Sequence, residues 1–190
     1  MRRPSHSIIK DKVSIDQRPA IVDEKVRFGD LEIETVIGQY HQGVLLIIND
    51  RVTSLVWIKL LEDKHSEPLT KATIQALLLL KQRIKNITAD NGKEFARQQE
   101  IAKELNVNFY FAKPYHSWQR GANENTNGLI RQYFPKGSSF ENITHQQVAE
   151  VQNKLNNRPR KGLGCFSPNE FCKIFSQIMK LHLRLESSFV

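Results

Sequence analysis

From Asp30 the chain alternates between apolar and polar positions. In DLEIETVIG, Leu31, Ile33, Thr35 and Ile37 fall on one side of a period-two pattern and Asp30, Glu32 and Glu34 on the other, which predicts a strand with an acidic face. After the turn YHQG come VLLIINDR and SLVWIKL, two further strand-length runs whose short connections predict an antiparallel meander. EPLTKATIQALLLLKQR carries apolar residues at helical spacing with Pro68 near its start, so a helix crosses the sheet next. IKNITAD returns to strand and stops at the turn signal DNG. KEFARQQEIAKELN is helical, with Phe95, Ile101, Ala102 and Leu105 on its apolar side, and VNFYFAK is a short strand before Pro114. The expected class is α/β: a mixed five-stranded sheet flanked by helices, in the order βββαβα, followed by further helices.

Residues 1–29 mix charge, proline and isolated apolar positions without a sustained period, and little regular structure is expected there. A helix over about 122–134 is expected to set Glu124, Asn127, Gly128 and Arg131 on one face and Leu129, Ile130 and Tyr133 on the other. THQQVAEVQNKLNNRPRKGLG supplies another helix that runs into a basic, proline-broken end. The last segment opens with helical spacing at Phe171, Ile174, Phe175 and Ile178 and then alternates at Leu181, Leu183 and Leu185, a pattern that assigns the tail to neither type. The organisation expected is an arm or linker over 1–22, a core over 23–171 and a divergent tail over 172–190.

Composition narrows the partner. The 190 residues allow one good core, and a formal net charge of +8 suggests a polyanion, although many solvated surfaces are also basic. Cys165 and Cys172 lack a metal-binding spacing and point to a reducing compartment. No apolar run is long enough for a membrane span, and the start MRRPSHSIIKDK has no apolar signal core. A soluble, cytoplasmic protein with no membrane partner and no small-molecule cofactor is expected.

Three carboxylates fall at mechanically useful places: Glu34 on the first strand, Asp90 at the end of the fourth, and Glu124 near the start of a late helix. Phosphodiester chemistry commonly uses two divalent ions about 4 Å apart. Mg²⁺ prefers a few carboxylates supplemented by water and substrate phosphate. Each acid also has a plainer reading: Glu34 as a solvated strand residue, Asp90 as a turn former, Glu124 as a charge favoured at a helix N-terminus.

The stretches ITADNGKEFA, YFAKPYHSWQRGANENTNGLIRQYFPKG and LNNRPRKGLG resemble the catalytic core of bacterial insertion-sequence transposases of the thirty family. The resemblance runs from about Val13 to Phe171. It implies a ribonuclease H-like fold, like that of retroviral integrases, and an Asp, Asp, Glu metal triad. The matching positions are the Asp of DNG, Asp90, and the Glu of NEN, Glu124, separated by the 33 residues 91–123 as in the family. The implied chemistry is DNA strand cleavage and strand transfer with Mg²⁺, or Mn²⁺ as a substitute, on element ends and target DNA. Possible homo-oligomers and a place at the bacterial nucleoid go with it.

The pattern departs from the family at its first acid. GDWE followed by two residues and a threonine is usual, with Asp before that threonine; here the segment is GDLEIETVIG, with Leu31 for Trp and Glu34 for Asp. One extra methylene moves the carboxylate by about a bond length, where designed metal sites tolerate about 0.5 Å. Greatly reduced activity is therefore expected. Glu32 shares the strand face but sits one pleat repeat away, about 6.7 Å, and is a poor replacement. The helix-turn-helix modules usual ahead of the core are not visible before Val13, and the family likeness fades after Phe171, so a truncated or frameshifted copy is one expectation.

Candidate DNA contacts are His116, Trp118, Arg120, Asn123, Asn127, Arg131, Lys136 and the cluster Arg158, Arg160 and Lys161. Rings stack on bases and cations hold phosphates, but a core-capping Trp or a solvated helix end explains the same residues. Beside the transposase reading stand a ribonuclease H-like nuclease that cuts without joining, and a non-catalytic DNA-binding or dimerising remnant.

Overall fold

The computed structural model describes residues 9–114 and 121–187, without the side chains of His41, 121–124 and 179–187. Five strands, β1 (Asp30–Ile37), β2 (Val44–Asp50), β3 (Val56–Leu61), β4 (Asn86–Ala89) and β5 (Asn108–Phe111), form one sheet in the order β3-β2-β1-β4-β5. β1, β2 and β3 pair antiparallel, as the meander predicts, while β4 and β5 join parallel to β1 and to each other. The sheet is mixed because β4 and β5 are each reached by a helical crossover.

Six helices surround it: α1 (Ile21–Glu24), α2 (Ser66–Leu77), α3 (Gln98–Leu105), α4 (Gly121–Ile130), α5 (His145–Asn156) and α6 (Pro168–Ser187). On one face, Leu31, Ile33, Leu46, Ile48, Ile87, Phe109 and Phe111 pack against Leu69 and Leu77 of α2 and Ile101 and Leu105 of α3. On the other, Val36, Leu45, Ile47, Val56 and Ile58 meet Ile130 of α4 and Val148, Val151 and Leu155 of α5. β2 is buried along its whole length, which is why VLLIIND reads as continuous rather than alternating.

The acidic face of β1 is not solvated. Asp30, Glu32 and Glu34 are all buried: Arg27 pairs with Asp30 and Arg51 with Glu32, α4 packs across the strand, and the segment that precedes the strand adds to the cover. Ser14 bridges to Phe111, Arg18 donates to Thr88 Oγ1 at 3.0 Å, and Val22 is buried. The described part of 1–29 thus contains a 3-10 turn, Ile15–Gln17, and α1, more order than its aperiodic sequence predicts. Its register is set by polar pairing, which hydrophobic periodicity does not report.

Two helical boundaries also differ. α4 ends at Ile130, with turn geometry over 131–133, one turn short of the expected 134. The unassigned tail is helical through Ser187.

Candidate active site and nucleic-acid interface

Strand register brings two of the three acids together. Glu32 lies opposite Thr88 and Ile33 opposite Ala89 in the parallel β1–β4 ladder, and Glu34 and Asp90 are the next residue along each chain where that ladder ends. Neighbouring strands lie about 4.8 Å apart. Glu34 is buried at 8% exposure, and Asp90 is half-buried in the turn that follows β4. Asp90 Oδ1 accepts the Gly92 N–H at 2.9 Å, which fixes the DNG turn.

That turn is held from both sides. Asn91 donates to the Ala112 carbonyl at 2.7 Å and accepts from Lys12. Glu94, fully buried, takes the Thr35 hydroxyl at 2.7 Å and Lys64 Nζ at 3.0 Å. Thr35 directly follows Glu34, so Glu94 ties the strand of one acid to the turn of the other. Sequence reading missed this role; the signal was a glutamate four residues beyond Asp90 within a run whose Phe95 belongs to the core.

Glu32 has a structural engagement that removes it as a substitute ligand. It is 0% exposed and accepts from Arg51 Nη1 at 2.5 Å. Arg51 and Arg18 both reach Asp23, at 3.2 and 2.5 Å. Burial first, and then the neighbouring Arg51, pull the Arg18 guanidinium below its ordinary value against the opposing pull of Asp23 and Glu32.

The third acid, Glu124, belongs to α4, which packs across β1 and β2 through Ile130 and the buried Thr126. Its side chain and that of Asn123 lie outside the described residues, as do His116, Trp118 and Arg120 altogether. Among the described residues no three His, Cys, Asp or Glu side chains are grouped to hold a metal ion. Glu34 and Asp90 still offer hard oxygen donors on adjacent strands, the donor chemistry a divalent cation takes.

The basic candidates divide. Arg131 turns back to the carbonyls of Phe134 and Pro135, at 3.4 Å each, Asn127 is half-buried on α4, and Lys136 is exposed. Arg158, Arg160 and Lys161 line one cavity together with Asn125 and Leu129 of α4. Arg158 donates to Gln132 at 2.7 Å and Arg160 to the Leu155 carbonyl at 3.0 Å. Lys25 and Arg51 border the same cavity and were not among the sequence candidates, since they come from the ends of α1 and β2, far along the chain from the basic cluster.

No family model matches the chain. The transposase for insertion sequence element IS4351 of Bacteroides fragilis is 56% identical over 177 residues, covering 93% of this chain and 54% of that protein. Transposase InsI for insertion sequence element IS30A of Escherichia coli K12 is 37% identical over 157 residues, covering 82% of this chain and 41% of the relative. The chain spans about half the length of these curated relatives. Among solved structures, the catalytic core domain of BIV integrase aligns with a TM-score of 0.58 at 16% identity, over 80% of this chain and 97% of that one. A chain of the simian T-cell lymphotropic virus intasome aligns with a TM-score of 0.56 at 18% identity, over 69% of this chain and 49% of that one. These two likenesses concern the fold, ribonuclease H-like and mixed-sheeted. No described helix is long and apolar enough to cross a membrane. Over the residues that match, this chain belongs to the insertion-sequence transposases of the thirty family and carries their integrase-like catalytic-core fold.

Proposed function

We propose that the chain is the catalytic core for DNA strand cleavage and strand transfer in transposition, with Glu34, Asp90 and Glu124 as its acidic set. The observation that supports this reading is the β1–β4 ladder, which ends one residue before Glu34 and Asp90, together with the packing of α4, the helix that bears Glu124, across the same strand. The three carboxylates would hold Mg²⁺, with Mn²⁺ as a substitute, and the bound cations would supply charge neutralisation to the phosphodiester. Asp90 is pre-set by Gly92, and Glu34 is confined by burial. Water cuts the strand, and the freed 3′-hydroxyl then attacks target DNA.

His116, Trp118, Arg120, Asn123, Asn127, Arg131 and Lys136 are proposed to meet DNA along α4 and its flanks, and Arg158, Arg160 and Lys161 to meet its phosphates. The core spans 23–171, with 1–22 as an arm whose described residues, 9–22, lie along the sheet, and 172–190 as a divergent tail, helical through Ser187. Partners are element ends, target DNA and other copies of the chain, in a nucleoid-associated cytoplasmic setting.

Glu34 is proposed to impair the reaction, because the longer side chain shifts its oxygens within a confined site. The same residue favours a second reading, a non-catalytic DNA-binding or dimerising form. A labelled DNA end, assayed for nicking and joining in Mg²⁺ and in Mn²⁺, separates these. Activity appearing with Glu34→Asp and absent with Asp90→Asn supports an impaired transposase. Cutting without joined products assigns a nuclease, and DNA binding that needs no metal, with silence in every variant, assigns the non-catalytic form. Full activity of the unaltered chain would show that the glutamate is tolerated.

A further inference from the structure

Between α4 and the segment that follows α5 lies a cavity of about 600 Å³, within the range of small-ligand clefts, about 300–1,000 Å³. Its described lining contains five cationic side chains and no carboxylate. Arg51 is already matched by Glu32 and Asp23, which leaves Lys25, Arg158, Arg160 and Lys161 to set the field. Arg160 shows the imbalance most clearly. It is half-buried, burial and then Arg158 draw its guanidinium below the ordinary value, and its buried Nε has no hydrogen-bond partner among the described residues. An anion among these cations relieves the repulsion.

The remaining wall is apolar, formed by Leu129, Leu163 and Phe171 with Pro159 and Val52. A bare phosphate gains nothing from such a wall. A paired base in a blunt duplex cannot present its face to it. An unpaired nucleotide uses both parts, since every base has a face that stacks and a phosphate that the cations hold. Asn125, the residue after Glu124, lines the same space and offers an amide to a base edge.

We propose that this cavity is a pocket for one nucleotide of single-stranded DNA, its base against Leu129, Leu163 and Phe171 and its phosphate on Arg158 and Lys161. The inference rests on the transposition reading and deepens it: an unpaired nucleotide would be held by α4 itself, the helix that carries Glu124.

The test is binding of fluorescent DNA to the full chain in EDTA, comparing a single strand, a blunt duplex and a duplex with a short overhang. Tighter binding of the single strand and the overhang is expected. Phe171→Ala should weaken both by about tenfold, within the range of base–aromatic stacking, and leave the blunt duplex unchanged. The double variant Arg158→Gln, Lys161→Gln should lower the salt dependence of single-strand binding by a slope of about 0.7, the contribution of one phosphate. A single strand carrying 5-iodouracil, photocrosslinked to the unaltered chain, should label the peptide over 158–171, a result independent of how any variant folds. Equal binding of blunt and single-stranded DNA with a neutral Phe171→Ala, crosslinks confined elsewhere, or preference for an acidic peptide would each overturn the pocket. Overhang preference lost while Asp90-dependent cutting persists rejects the pocket alone, whereas cutting indifferent to Asp90→Asn with the preference intact rejects the transposition reading alone.

Discussion

The carboxylate of Glu94 occupies the space that a side chain on Gly92 would need, so that a Cβ added at Gly92 would overlap its oxygens. Gly92 has an ordinary negative φ of −64°, and its lack of a side chain answers to this neighbour rather than to backbone strain. Glu94 cannot simply swing aside, because Thr35 and Lys64 hold it. The two residues should therefore be coupled. Gly92→Ala is expected to cost roughly 1–3 kcal/mol by overpacking, and Glu94→Ala a similar amount through the lost hydrogen bond of a buried carboxylate. In the double variant Gly92→Ala should cost almost nothing further. Urea unfolding of all four chains measures the coupling, and simple additivity would refute it.

Arg51 and Glu32 form the second coupled pair. Their 2.5 Å contact is buried on both sides, whereas Asp23, which also meets Arg51, is 65% exposed and contributes little to the pair. Arg51→Met leaves Glu32 charged and enclosed, and should cost about 3–5 kcal/mol. Adding Glu32→Leu should recover part of that loss, since the uncompensated charge is gone while Arg18 keeps Asp23 and Thr88. Chemical denaturation with matched slopes checks both variants; a second substitution that deepens the loss would show that Glu32 is stabilised by groups other than Arg51.

Much of the sheet was legible because its strands carry a period or an apolar run: Leu31 and Ile33 alternate with acids, and β2 is apolar from Val44 to Ile48. The pairing of Glu34 with Asp90 was legible only through family likeness, since alternation cannot say which strand lies alongside. The cover over the acidic face was not legible. Arg18 pairs with Asp23, and Arg51, 28 residues further on, reaches the same carboxylate; such contacts leave no hydrophobic period. α6 was ambiguous because leucines at 181, 183 and 185 suit a strand as well as a helix, and its continuous backbone hydrogen bonding decides for helix.

β3 is an edge strand that does not behave as one. Asn156 of α5 accepts from the Val56 N–H at 2.9 Å and donates to the Val56 carbonyl at 2.8 Å, and Gln152 accepts from the Ile58 N–H at 2.8 Å. Two amide side chains thus replace a neighbouring strand and close the edge to other chains. Asn156→Leu orphans both buried backbone groups of Val56 and should cost about 1–3 kcal/mol for each. It should also leave a strand edge open to pairing. Light scattering on heating is expected to show earlier association for Asn156→Leu than for a comparably destabilised core variant such as Leu45→Ala, fully buried on β2; identical association at equal stability would refute the edge role.

The N-terminus of α6 should respond to acid. Ser167 donates from its backbone N–H and its hydroxyl to Glu170 Oε2, at 2.8 and 2.7 Å, and its Oγ accepts the Glu170 N–H at 3.3 Å. This is a reciprocal cap of the Ser-x-x-Glu type, with Pro168 at the first helical position. The Ser167 hydroxyl first, then its backbone N–H, with help from Lys173, hold the Glu170 carboxyl below its ordinary value. Because the folded pKa is depressed, the stabilisation is present above the unfolded value, about 4.3, and is lost as pH falls through the folded one. Glu170→Gln keeps an oxygen for Ser167 but cannot titrate, so its first helical turn should hold the same amide-exchange protection from pH 6 to pH 3, after correction for intrinsic exchange. The unaltered chain should lose protection over the acid end of that interval, and matching profiles for the two would mean that Ser167 and Pro168 hold the helix end without the charge.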